Sequence, residues 1–533
     1  MTLALLSLAG LFLLYYGKNQ SKTPTITITG NGTDDKVYLS IEAGCGAKVY
    51  YTIDGSSPTR DSILYNGPIL LEDASFQDNR LSARGDLSVQ NYEIPKQKVD
   101  KAWCIKAKAF YSSTDEGSKE TIKNYLVKPD NELNTFNATD ILYVTVNPQA
   151  LTDYETGMMV RGAYFDGYLR EEGLDFDDVV GNTKDALVKA NYSGRLSDKF
   201  TKNAHIEYVR DGEILYSDTV AIKNRGVSSS DGPKKTYNLN FDEDISKNLF
   251  DKRIFECGTQ QDKVVLRRED CILRDSLYEK LYKGTDMIIS DAGNPVQVFI
   301  NGEYWGLYSF EEKMDENWFS THLGIPGDKV TVIKNGSVSF GNYKAEDEFF
   351  ELIDFCDENN LSDSKNYDYF CGKVDIDSFL LYYASMFYLD ACDFLETYNT
   401  MQWRVEGDKW HWALYDLDNS ANDATQDTLN EELKWDKDNA ICTHTMFSAV
   451  MQNVDAQRLF IEKVDECKRI LSSQRVKSVL EGEREALVLA GINDSRRWGF
   501  DINWDEQINS VEEFFEERPK YVDEFVQRYM KGL

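Results

Sequence analysis

At 533 residues the chain exceeds what a single compact core organises, so roughly two to four domains are expected. Hydrophobic residues make up 41% and aromatic residues 13%, including 31 Tyr and 27 Phe, which excludes a disordered acidic chain. With 59 basic against 91 acidic residues, the net charge of −32 repels nucleic acid and anionic lipid and favours cations; it admits a nucleotide only where local Lys, Arg or metal offsets the field.

In chain order, residues 2–16, "TLALLSLAGLFLLYY", are the only long apolar run, and the polar "GKNQSKTPT" follows. About 15 residues suit a secretion h-region better than a full span of roughly 20, so residues 1–23 are expected to be a signal peptide or membrane anchor with its linker. The expected location is therefore secreted or extracytoplasmic, with membrane contact only through this segment. Residues 24–128 alternate apolar and polar in short runs punctuated by Gly, Asp and Pro, which predicts an all-β domain. Within them "YYTIDGSSPT" (Tyr50 to Thr59) and "LYNGPILL" resemble the immunoglobulin-like or Fn3-like sandwich module at the C-terminus of chitobiases and hexosaminidases. There the module is an accessory, so the resemblance implies a spacer, with carbohydrate as the alternative partner.

Residues 129–190 are expected to bridge, and "ILYVTVNPQALTDYETGMMVRGAYFDGYLREEG" reads as a strand, a loop and a second strand, followed by an acidic solvated loop. From 191 the pattern is mixed α+β. Asp211-Gly212 turns one hairpin, Asn301-Gly302 a second and Gly407-Asp408 a third. "DCILRDSLYEKLYKG" and the strongly apolar "DIDSFLLYYASMFYLDACDF" read as helices, and residues 444–533 are mostly helical. Nine cysteines without a CxxC argue against a zinc site, and only four histidines exclude a His-based triad and an HExxH metallopeptidase.

Four stretches could carry chemistry. "IKNRGVSSSDGPKKTYNLNF" places Arg225, Ser229, Lys234 and Lys235 around small residues whose N–H groups can approach an anion, although a polar hairpin turn is the commoner explanation of such a pattern. "LRRED CILRDSL" gathers Arg267, Arg268 and Arg274, either an anion cluster or halves of helix-surface ion pairs. In "NGEYWGLYSFEEKMDENW", Glu311, Glu312 and Lys313 follow at the end of a strand, where a carboxylate could orient a phosphate-binding lysine, although exposed Glu-Lys pairs are common. Finally "DACDFLETYN" carries Asp390, Asp393 and Asn399, and "WHWALYDLDNS" carries Asp416 and Asp418. As i and i+2 of a strand these last two would share one face, with Leu417 turned into the core. Carboxylates and an amide in that order suit phosphoryl transfer, which needs a group to orient the attacking hydroxyl and oxygen ligands for Mg²⁺.

The succession R-G-x-S-S…P-K-K, L-R-D, N-G-E-Y-W-G-L-Y…E-K, a D…N loop and a D-x-D behind a W-x-W strand resembles the spore coat protein H (CotH) kinase family over roughly residues 150–530. The resemblance implies an atypical protein-kinase-like domain at 191–533, α+β with a helical C-terminal part, transferring phosphate from ATP to Ser or Thr of secreted or cell-surface proteins with Mg²⁺ or Mn²⁺. It implies Asp393 as the catalytic aspartate, with Asp390 the competitor for that place, and Asn399, Asp416 and Asp418 as metal ligands. It implies Lys234 or Lys235 as the ATP-phosphate lysine with Glu312 as its partner, and Arg225, Ser229 and Arg274 near the nucleotide. The alternative class is a catalytically inactive kinase-like scaffold at a polysaccharide surface. A glycoside hydrolase stands third, because no carboxylate pair has a catalytic spacing.

Overall fold

The structure, a computed structural model, describes residues 23–30, 36–89, 92–111, 117–179, 189–226, 230, 232–241, 253–255, 263–268, 272–289, 293–391, 399–431, 443–499 and 503–533. Two compact units make up the chain. The first comprises residues 1–235, 297–306 and 496–498, and the second 236–296, 307–495 and 499–533. The chain is multidomain, β-rich at its N-terminal side and helical toward its C-terminus.

In the first unit, β1 (Thr25–Thr29), β2 (Val37–Glu42) and β5 (Ile69–Leu71) form one sheet. A second contains β4 (Ile63–Leu64), β3 (Lys48–Thr52), β6 (Trp103–Phe110) and β7 (Glu120–Tyr125) in that order. The alternation of β2 buries Val37, Leu39 and Ile41 and turns Tyr38 and Glu42 outward. These side chains pack with Val49, Leu71, Trp103, Ile105 and Ala107 between the sheets. The "LYNGPILL" signature is structural here: the Tyr65 hydroxyl accepts from Ile41 N at 3.0 Å while Tyr65 N donates to Val49 O at 2.9 Å. One residue thus ties together strands of both sheets.

The rest of this unit follows β8 (Asp140–Val146), which pairs antiparallel with β9 (Lys202–Arg210). β9 turns into β10 (Glu213–Asn224) through Asp211 and Gly212, with φ of 49° and 77°, as the Asp-Gly dipeptide predicts. The second strand expected between 129 and 190 is instead a helix, Gly162–Glu172, closed by left-handed Gly173. Phe165, Tyr168 and Leu169, spaced i, i+3, i+4, pack against Val89, Ala190 and Tyr192, so the aromatic run follows a helical period and not a strand period.

The sandwich is joined to this second part by buried carboxylates. Glu207 accepts from Asn124 N and Nδ2 at 2.9 and 2.7 Å. Glu303 accepts from Arg80 N, Leu81 N, Ser82 N and Ser82 Oγ at 2.5 to 3.2 Å.

The second unit contains β11 (Tyr237–Asn240), paired with β12 (Lys263–Arg268), which pairs in turn with residues 308–312. Those residues end β14 (Glu303–Glu312), the return strand after β13 (Gly293–Ile300) across the Asn301-Gly302 turn. A separate sheet has the order β16 (Ser337–Phe340), β15 (Val330–Lys334), β17 (Met401–Val405), β18 (His411–Ala413). The helix Ile376–Tyr388 is buried on every face from Ser378 onward, which suits its apolar sequence, and Asp375 caps it by accepting from Ser378 N at 2.8 Å. Amphipathic helices Val454–Ile470, Ser473–Trp498, Trp504–Glu517 and Pro519–Gly532 follow. No described helix is long and apolar enough to cross a membrane, and the apolar run at 2–16 lies outside the described residues.

Candidate phosphoryl-transfer site

Of the stretch 225–235, residues 225, 226, 230 and 232–235 are described, and they belong to the first unit. Gly226 O accepts from Gly194 N at 3.1 Å, an approach so close that a Cβ on Gly194 would stand 2.0 Å from that oxygen. Lys235 is fully buried. Its ammonium donates to Leu87 O, Ser230 O and Gly232 O at 2.7, 2.9 and 2.8 Å and lies 3.5 Å from the centroid of the Tyr192 ring. An ammonium has three N–H donors, and all three are satisfied by backbone carbonyls. Lys235, one of the two alternatives expected for the phosphate lysine, thus holds its own turn closed. Lys234 is also buried, at 4% exposure, and Arg225 is half-buried. Ser229 lies outside the described residues.

The acidic stretch belongs to the second unit, and its geometry starts from the end of β18. Leu414 forms a parallel bridge with Ile289, and the strand stops there. Asp416 adopts left-handed φ of 57°, so the alternation expected to align Asp416 with Asp418 does not operate. The two carboxylates are nevertheless brought together, by Arg267 of β12. Its guanidinium bonds Asp416 directly, stands 3.6 Å from Asp418 and bonds Asp275 at 2.8 Å. Asp275 Oδ1 also accepts from Leu417 N at 3.1 Å, and Leu417 points into the core as expected. Asp416 and Asp418 keep side-chain exposures of 27% and 28%, while Arg267 keeps 13%, so the cation is the sunken member and the carboxylates the accessible ones.

Asn399 is left-handed too, with φ of 59°, and its Nδ2 donates to Asp416 O at 3.4 Å. The segment after Asp418 is held from the helix Ile272–Tyr282. Arg274 donates to Ser420 O at 2.7 Å and Asn422 Oδ1 at 3.3 Å, and Tyr278 shares a 2.8 Å hydrogen bond with Ser420 Oγ. Arg274, expected either in an i,i+4 pair or near the nucleotide, anchors this loop. Glu312 ends its strand as predicted, and its carboxylate meets His322 Nε2 at 3.0 Å, with the His322 ring stacked on Trp318. Tyr415 carries Lys334 over its ring at 4.1 Å.

Asp390, the competitor for the catalytic position, is buried. It accepts from Thr428 Oγ1 at 2.7 Å and Asp423 N at 3.2 Å, and burial pushes its carboxyl above the ordinary range. Its role in the fold is to hold the 423–428 segment. Asp393 lies outside the described residues.

Two members of the site went unassigned in the sequence. Arg267 was visible only as one arginine of a cluster, and Asp275 only as the last residue of the L-R-D triplet. Asp416, Asp418 and the Asn399 amide offer hard oxygen donors, the chemistry that Mg²⁺ or Mn²⁺ takes. Among the described residues, no group of three or more His, Cys, Asp or Glu side chains is placed to hold a metal ion. A divalent cation at Asp416 therefore needs a further ligand, such as the Asn399 amide or a phosphate oxygen, and needs Arg267 to yield part of its hold.

A family model described as CotH kinase protein matches residues 222–522, more than half of the chain. A model described as Fn3 associated matches residues 39–125, the sandwich strands β2 to β7. No curated protein matches the chain.

Proposed function

The chain belongs to the CotH kinase family, and on that premise we propose that it is an extracytoplasmic, metal-dependent protein kinase transferring the γ-phosphoryl of ATP to Ser or Thr hydroxyls of secreted or cell-surface proteins. The observation that carries this reading is the meeting of Asp416 and Asp418, both solvent-accessible, at one guanidinium beside Asn399. A protein surface that needed only negative charge would have no use for a buried arginine and two left-handed backbone positions to gather three oxygen donors.

In this reading Asp416, Asp418 and Asn399 would hold Mg²⁺ or Mn²⁺, whose charge would offset that of the phosphate oxygens of ATP. Asp393 accepts a hydrogen bond from the acceptor hydroxyl and so orients its oxygen toward the γ-phosphorus. Lys234, Arg225 and Ser229 supply the basic, small-residue turn that the −32 net charge makes necessary for any nucleotide. Asp275 keeps Arg267 in place, so that losing one carboxylate partner to a metal does not release the guanidinium. The sandwich module serves as a spacer, with carbohydrate as its alternative ligand.

The second reading, an inactive kinase-like scaffold at a polysaccharide surface, is favoured by one observation: Arg267 already occupies Asp416. Melting and transfer assays separate the two. On the kinase reading, ATP with Mg²⁺ at about a hundredfold over Kd stabilises the wild type by about 2.7 kcal/mol. Label then moves from γ-labelled ATP to a Ser-rich acceptor, and Asp416→Ala abolishes both effects. Transfer that survives in Asp416→Ala refutes the assignment, and a thermal shift without transfer selects the scaffold.

A further inference from the structure

Arg518 is a fully buried charge placed between two helices. It closes Trp504–Glu517 by donating its backbone N–H to Phe514 O at 2.8 Å, and Pro519 opens the next helix behind it. Among the described residues its guanidinium forms no carboxylate pair within hydrogen-bond distance. Nε donates to Tyr388 O at 3.0 Å and Nη2 to Phe387 O at 2.6 Å, while Nη1 donates to Ala424 O at 3.0 Å and Gln426 O at 2.6 Å. The rings of Phe387, Phe514 and Phe525 surround it at 5.4 to 5.6 Å.

The four acceptors belong to two segments. Phe387 and Tyr388 are the end of the apolar helix, where carbonyls lack intrahelical partners and the negative end of the helix dipole favours a cation. Ala424 and Gln426 lie a few residues beyond Asp418. Leu389 O accepts from Ala421 N at 2.6 Å, and Asp390 accepts from Asp423 N and Thr428 Oγ1, so the same two segments are laced together at three further points. A planar fork with five donors can satisfy four carbonyls at once, whereas an ammonium has three donors in a different geometry.

We propose that Arg518 is a positioning residue for the acidic site: by fastening the 424–426 segment to the end of the apolar helix, it fixes where the Asp416–Asp418 loop can sit. The inference rests on the proposed function for the metal site and for its activity readout. A residue that merely stabilised the fold would lower the melting temperature without separating metal affinity from acceptor binding.

The test compares full-length wild type, Arg518→Lys, and Arg528→Ala. The last removes an ion pair to Asp427 from the final helix and leaves all four carbonyl contacts intact. Arg518→Lys is expected to bind Mn²⁺ about tenfold more weakly, and to lower kcat about tenfold with the acceptor KM within about twofold, while Arg528→Ala keeps both. Wild-type Mn²⁺ affinity and kcat in Arg518→Lys overturn the proposal, and so does an equal loss in Arg528→Ala. Amide exchange in the wild type gives a check that needs no folded variant: Mn²⁺ should slow exchange at Ala421 and Asp423, and unchanged exchange there overturns the coupling. A wild type that binds Mn²⁺ but transfers no phosphoryl group refutes the kinase reading and leaves the Mn²⁺ comparison to decide for Arg518. One that binds neither Mn²⁺ nor nucleotide retires both.

Discussion

Arg267 is where the electrostatics of the site are decided. It faces Asp275, Asp416 and Asp418, one cation among three carboxylates, and is 13% exposed. Removing the shared partner of a largely buried cluster costs about 3–5 kcal/mol, and the partial exposure of Asp416 and Asp418 reduces that to about 2 kcal/mol. Arg267→Gln should therefore lower the melting temperature in metal-free buffer. It should also show a larger stabilising shift than wild type on adding Mg²⁺, because the cation no longer competes with a guanidinium. An equal or smaller Mg²⁺ shift in the variant would count against a metal at Asp416. Asp390 gives a second prediction with a definite sign. Burial holds its folded-state pKa above the unfolded value, so folding favours the protonated carboxyl. The stability this contributes is fully present below about pH 4, the unfolded value, and is lost as pH rises through the raised folded value. Asp390→Asn is neutral at every pH. It loses an acceptor for Asp423 N, at about 1 kcal/mol, but its melting temperature relative to wild type should improve as pH rises from about 4 to 7. A flat difference across that range would show that Asp390 does not titrate as described.

At the scale of elements, the turns were legible because their chemistry is local: Asp211-Gly212 and Asn301-Gly302 place both central residues at positive φ, which those pairs tolerate best. The apolar helix at 376–388 was legible for the same reason, since a strongly hydrophobic run needs no partner to be recognised. The helix at 162–172 was not, because an aromatic-rich run of 11 residues fits either period until its packing partners are known. For the site, the order of Asp416 and Asp418 was readable but the device that joins them was not. The pairing with Arg267 spans 149 residues, and the lock on Lys235 depends on Leu87 and Tyr192, which no local pattern announces. The "NGEYWG" stretch shows how a family signature can carry architecture as well as chemistry. Asn301 Oδ1 accepts from Val146 N at 2.8 Å, Gly302 O accepts from Ala102 N at 2.8 Å, and Glu303 holds the 80–82 segment with its whole carboxylate. Glu303→Ala strands three backbone donors and a hydroxyl in a buried setting, at about 1–3 kcal/mol for each one left without an acceptor, so a loss of about 3 kcal/mol is expected once water reaches some of them. Limited proteolysis should then cut near residue 82 faster than in wild type, and an unchanged cleavage rate would show that the carboxylate is dispensable.

For the whole molecule the governing number is the excess of 32 acidic over basic residues. Surface pairs such as Lys329 with Glu406, Lys477 with Glu516 and Arg484 with Asp505 stabilise the fold little, because water and salt screen them. Yet even if all 59 basic residues were paired one to one, the excess acids would remain to repel one another. Repulsion among like charges is long-ranged at low salt and screened within about 3 Å at 1 M, so its relief should outweigh the loss of the pairs. The melting temperature should thus rise as NaCl is increased from about 20 mM to about 0.5 M. A fall would mean that ion pairs dominate despite the charge imbalance. Mg²⁺ at matched ionic strength should add a further increment, and its origin can be separated. Diffuse association with an acidic surface survives the loss of any one carboxylate, whereas a site does not. The Mg²⁺ increment that persists in Asp416→Ala with Asp418→Ala is therefore the share of the whole charged surface, and the increment that vanishes belongs to the loop Arg267 holds. If the double variant keeps all of it, cations stabilise this chain only as an atmosphere.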